Sequence, residues 1–121
     1  MRRYLEARRR TLAERPRLIR EFLEKLASTL AGRASIIVFG GRAIAGLDSN
    51  EPRDLDLLIV VRDDDDPASV EELAYRLKPR ELPADIIVAR LSELQCGIAR
   101  LMLRSAVLVS DPLGVRRLLD G

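Results

Sequence analysis

The sequence predicts an α/β or α+β domain in which about four strands alternate with helices. Two observations carry this. Short apolar runs bounded by turn residues fall at residues 34–39, 54–62, 84–89 and 106–109, and stretches of helical apolar spacing separate most of them. At 121 residues the chain makes one domain with a single core and no room for a second.

The elements follow in order. Residues 2–14 are charged and helix-prone, and Pro16 is expected to interrupt or kink that pattern. From Arg17, the apolar positions Leu18, Ile19, Phe22, Leu23, Leu26 and Leu30 keep helical spacing until Gly32 stops them. Ala34 to Phe39 reads as a buried strand ending at Gly40-Gly41, after which Arg42 to Gly46 suggests one helical turn and residues 47–53 a polar loop. Asp54 to Arg62 is a second strand, apolar on both faces beyond Asp56 and therefore central or covered on both sides. Asp66-Pro67 has the form of an N-cap followed by proline at the first helical position, with Val70, Leu73, Ala74 and Leu77 as the buried stripe. Ala84 to Ala89 is a third strand. Ser92 with Gln95 resembles a capping box opening a helix that turns Leu94, Ile98, Leu101 and Met102 inward. A short strand at Ala106 to Val109 and a last helical turn or two after Asp111-Pro112 complete the chain.

Composition narrows the chemistry. No apolar stretch reaches the ~18 residues that span a bilayer, and the first residues lack a signal-peptide run, so a soluble cytoplasmic protein is the expectation. There is no histidine, and Cys96 is the sole cysteine, so imidazole-based zinc sites, Ser-His-Asp triads and internal disulfides are excluded. Residues 1–33 carry ten Lys or Arg against four Glu. That basic end reads either as a solvated helix face or as a surface for nucleic acid or an acidic partner. Few aromatic side chains are present to stack on single strands.

Chemistry concentrates in Asp54 and Asp56. Side chains two apart on a strand share a face, so the two acids stand side by side at the rim of a core, where repulsion and desolvation both disfavour them. A fold retains such a pair mainly around a cation. Asp85 is a lone acid in the third strand, and if that strand neighbours the second, all three carboxylates converge. Three hard oxygen donors without nitrogen or sulfur indicate Mg²⁺ or Mn²⁺. Gly40-Gly41 ends the first strand where exposed backbone amides could approach an anion. The acidic run Asp63 to Asp66 reads as a solvated loop.

A Gly-Gly pair after a strand, a gap of about a dozen residues, Asp-Leu-Asp at 54–56 and a lone Asp85 in a later strand together resemble the DNA polymerase β-like nucleotidyltransferase superfamily. In length the chain looks like a minimal nucleotidyltransferase. The resemblance covers roughly residues 17–111. It implies a polymerase β-like nucleotidyltransferase fold, a mixed sheet of about four strands flanked by helices. It also implies a single domain over 1–121, with a basic N-terminal helical segment at 1–32 and a catalytic core at 33–111. Gly40, Gly41 and Arg42 would hold the triphosphate of ATP or another nucleoside triphosphate. Asp54, Asp56 and Asp85 would bind Mg²⁺ or Mn²⁺, with Asp85 also helping to deprotonate the acceptor hydroxyl. The implied reaction moves a nucleoside monophosphate, AMP from ATP, onto a protein or small molecule. Relatives of this size accompany a small helical HEPN-type protein, so the chain is expected to be the antitoxin half of a HEPN/minimal-nucleotidyltransferase toxin–antitoxin pair. Self-association is left open.

Many minimal members read Gly-Ser-x-Ala-Arg-Gly where this chain reads Gly-Gly-Arg-Ala-Ile-Ala-Gly from Gly40 to Gly46. The difference supports an alternative: a catalytically weak or inactive module of the same fold that acts by binding protein or nucleic acid.

Overall fold

The computed structural model describes residues 2–40, 54–95 and 106–120. Helix α1 (Arg2–Thr29) leads into strand β1 (Ala34–Phe39); β2 (Leu55–Val61), α2 (Pro67–Leu77) and β3 (Ala84–Arg90) follow. A 3₁₀ turn (Leu91–Gln95), β4 (Val107–Ser110) and α3 (Val115–Asp120) complete the described elements. The strands form one mixed sheet in the order β3-β2-β1-β4. β1 pairs antiparallel with both β2 and β4, whereas β2 and β3 run parallel across the α2 connection. The mixed sheet flanked by helices is the fold class expected from the sequence.

β2 is central, and it is apolar for that reason: Leu55 and every residue from Leu57 to Val61 are buried. Its side chains alternate between two cores. Leu55, Leu57, Ile59 and Val61 join Ile36 and Val38 of β1 beneath α1 and α2, where Ile19, Phe22, Leu23, Leu26, Leu30, Val70 and Ala74 meet them. Leu58 and Val60 face the other way with Ile37, Leu94 and Val115. β3, at the edge, is half exposed: Ile86 is buried in the first core, while Asp85 and Ile87 on the opposite face are open.

The ends of the helices explain their lengths. α1 terminates before Gly32, whose φ of +73° reverses the chain, and the Leu30 carbonyl accepts the amides of Arg33 and Ala34. The Asp66 carboxylate caps α2 by accepting the Ala68 amide at 3.2 Å, with Pro67 beside it. Two expectations are corrected. Pro16 does not interrupt α1, which runs through it as one helix. Proline removes a single amide donor, and the apolar stripe beyond it is held by the core. The chain after β3 begins a 3₁₀ turn already at Leu91, and Glu93 accepts the Arg90 amide at 3.1 Å, so Ser92 lies inside the turn and does not open it. Ile98, Leu101 and Met102 lie outside the described residues, as do Cys96 and the expected turn at 42–46.

The acidic run is structural rather than merely solvated. Arg33 donates two hydrogen bonds of 2.8 Å to Asp65, tying the α1–β1 turn to the loop before α2. The Arg33 contact is the largest influence on the Asp65 carboxyl, which is lowered from 3.8 to about 2. Asp63 accepts the Ser92 amide at 3.0 Å.

Candidate active site

The parallel register of β2 and β3 places Asp56 directly opposite Asp85. The antiparallel register of β1 and β2 places Asp56 opposite Phe39, the residue before Gly40. Asp54 lies two residues before Asp56. Asp56 alternates with Leu55 and Leu57, which enter the α1–α2 core, so its side chain emerges on the opposite face. Asp85 alternates with Ala84 and Ile86 in the same way. The acids therefore collect at one end of one sheet face, beside the end of β1. Neighbouring strands lie about 4.8 Å apart, so Asp56 and Asp85 stand at the closest lateral spacing a sheet allows.

Electrostatics records that proximity. Asp56 is half-buried, while Asp54 and Asp85 are exposed. The Asp56 carboxyl is raised above its usual range, first by burial, then by the charge of Asp85, then by that of Asp54. Among the described residues no donor or cation pairs with any of the three. A carboxylate made unfavourable by burial and by two like charges, with no described countercharge, is the environment a divalent cation relieves.

Gly40 completes the corner. Its φ is +70°, a conformation open mainly to glycine. A Cβ at that position would strike the Asp56 carboxylate, lying 3.3 Å from its Cγ and in hard contact with Oδ2. The missing side chain thus makes the space that Asp56 occupies. Gly41 and Arg42, expected beside it at the phosphates, lie outside the described residues.

The trio lines a surface and does not close into a cage. Among the described residues no group of three His, Cys, Asp or Glu side chains is drawn together tightly enough to hold a metal. The strand geometry explains this, since diagonal neighbours on a sheet stand about 7–8 Å apart. The donor set nonetheless suits a hard divalent ion, because all three groups are carboxylates on one face.

Sequence reasoning missed two features of this corner. Ile87, two residues beyond Asp85 on the same face, is 49% exposed and extends the acid corner with apolar surface. The period-2 rule applied to Asp85 would have located it. The close packing of Gly40 on Asp56 depends on cross-strand register, which no local pattern encodes. On α2, the Tyr75 hydroxyl accepts the Ile86 amide at 3.2 Å.

No family model matches the chain, and no curated protein is significantly similar to it in sequence. The chain is similar in structure to a crystal structure from Sulfolobus solfataricus described as a putative nucleotidyltransferase, with a TM-score of 0.54, 21% identity and 82% of each chain covered. The fold is nucleotidyltransferase-like. No described helix is long and apolar enough to cross a membrane.

Proposed function

We propose that this chain is a nucleotidyltransferase dependent on Mg²⁺ or Mn²⁺ that moves a nucleoside monophosphate, AMP from ATP, onto a hydroxyl group of a protein or small molecule. One observation carries the reading: Asp56 faces Asp85 across parallel strands, with Asp54 and Gly40 at the same corner, and its ionised form is disfavoured with no described countercharge. The fold shared with the Sulfolobus protein is consistent with it.

In this reading Asp54, Asp56 and Asp85 hold the metal, which when bound would neutralise phosphate charge and polarise the reacting oxygens. The Gly40 and Gly41 amides and the Arg42 guanidinium orient the triphosphate. Asp85, the outermost and exposed member, accepts the proton of the acceptor hydroxyl. That oxygen forms a bond to the α-phosphorus as the bond to the bridging oxygen breaks, and pyrophosphate leaves. Catalysis then rests on positioning and charge neutralisation. The resemblance to minimal nucleotidyltransferases extends the proposal to an antitoxin role beside a HEPN-type partner that supplies the acceptor.

The test is calorimetric titration with Mg-ATP. The unmutated chain should give a saturable heat that Asp56→Asn abolishes; absence of heat in the unmutated chain would remove the enzymatic reading. A second reading, a binding module without catalysis, is favoured by the open spacing of the acids and the altered glycine segment. Binding of Mg-ATP without pyrophosphate release, in the presence of a candidate acceptor protein, would select it.

A further inference from the structure

The two edges of the sheet are finished differently. On the β3 edge, the Tyr75 hydroxyl accepts the Ile86 amide and the Glu93 carboxylate accepts the Arg90 amide. Side-chain caps of this kind occupy amides that an added strand would otherwise use. On the β4 edge no described side chain does the same. Along that edge runs an apolar groove of about 340 Å³ between α1 and β4, floored by Ile19, Leu23, Ala27 and Val109 and rimmed by Arg20 and Glu24.

The rim charges point to the occupant. Arg20 and Glu24 stand one helical turn apart, the spacing at which Arg17 pairs with Glu21 at 3.5 Å and Arg76 with Glu72 at 2.9 Å. Yet Arg20 and Glu24 make no ion pair with each other or with any described residue. One cation and one anion in succession along a helix form a self-complementary patch. A two-fold axis sets such helices antiparallel and brings each Arg20 against the other copy's Glu24.

We infer that the α1–β4 face binds a second copy of this chain. The axis stands perpendicular to the sheet beside β4. Each α1 enters the groove of its mate, two Arg20–Glu24 pairs close across the interface, and the β4 edges pair antiparallel into one eight-stranded sheet. Both copies of α1 then lie on the same sheet face, and both acid corners remain away from the interface strand. This does not depend on the proposed activity.

Sedimentation equilibrium on the unmodified chain decides it. The expected species is a dimer of twice the 13.6 kDa protomer mass. Arg20→Glu and Glu24→Arg should each weaken the dimer about tenfold, since each reverses both ion pairs. The double variant should restore it. Circular dichroism of each variant confirms that helix content is kept, and the rescue by the double variant separates lost pairing from lost folding. A monomer at the highest soluble concentration overturns the inference, as does a dimer unaffected by either single reversal. Binding there only of a different protein likewise overturns it.

Discussion

Gly40 and Asp56 constrain each other, and a single methyl group exposes the dependence. Gly40→Ala must accommodate a φ of +70° and a Cβ driven into the Asp56 carboxylate. The expected cost is about 1–2 kcal/mol of stability, read as a lower urea midpoint, together with loss of the Mg-ATP heat as Asp56 is displaced. Asp56→Asn should act in the opposite sense on stability. Because the folded state raises the Asp56 carboxyl, the folded chain holds that proton to higher pH than the unfolded chain does. Its contribution therefore improves as pH falls through the raised range and worsens as pH climbs out of it. At neutral pH without metal, Asp56→Asn should melt a few degrees higher than the unmutated chain. Added Mg²⁺ should raise the melting temperature of the unmutated chain alone. A variant that melts lower in metal-free buffer would show that the charge is already compensated.

At the scale of elements, the joints are held by acids whose roles oppose that of Asp56. Burial raises the Asp111 carboxyl, but hydrogen bonds from the Arg116 amide, the Ser35 hydroxyl and the Val115 amide outweigh it and leave it lowered. The Val115 contact at 2.7 Å and the Arg116 contact at 3.1 Å fix the start of α3, and the fully buried Ser35 hydroxyl donates at 2.8 Å. Asp111→Ala leaves Ser35 and the first amides of α3 without acceptors, so a loss of about 2–3 kcal/mol in chemical denaturation is expected. Asp65 adds a signature in pH. Its carboxyl lies at about 2 against 3.8 unperturbed, so the stability it contributes is complete above the ordinary carboxylate range and disappears as pH falls toward 2. An acid titration followed by circular dichroism should show a shallower loss between those limits in Asp65→Asn. Equal slopes would mean that the Arg33 pair contributes nothing.

Tyr75→Phe tests the guarded sheet edge. The Ile86 amide loses its acceptor, with a cost of about 1 kcal/mol, and should exchange its hydrogen with solvent faster, whereas the amide of Ile59 in central β2 should not change.

For the whole molecule, what the sequence disclosed follows from the range over which each signal acts. β2 was legible because burial on both faces demands an unbroken apolar run, and the cap at Asp66-Pro67 because capping is local. The convergence of Asp56 with Asp85 required only that β2 and β3 be neighbours, and they are. The pairing of Arg33 with Asp65, 32 residues apart, was not legible, since nothing nearby marks Asp65 as different from Asp63 or Asp64. Whether α1 breaks at Pro16 or continues through it was equally hidden, because that is decided by the core that the following turns enter.

That continuity carries α1 along the core. The sequence set residues 1–32 apart as a basic segment preceding a catalytic core at 33–111, yet α1 contributes Ile19, Phe22, Leu23, Leu26 and Leu30 to the main core, each at most 4% exposed. Burying a large apolar side chain stabilises by about 1.5–3 kcal/mol, so these five supply roughly as much as the 5–15 kcal/mol that separates a folded domain from its unfolded chain. Their removal also uncovers Ile36, Val38, Leu57 and Ile59 on one sheet face. A chain beginning at residue 33 should therefore not fold: it should lack a cooperative thermal transition and bind a hydrophobic dye. Leu26→Ala in the full chain should reproduce part of this, costing about 2–5 kcal/mol. A cooperative melt from the shortened chain would show that the sheet and α2 form a core sufficient without α1.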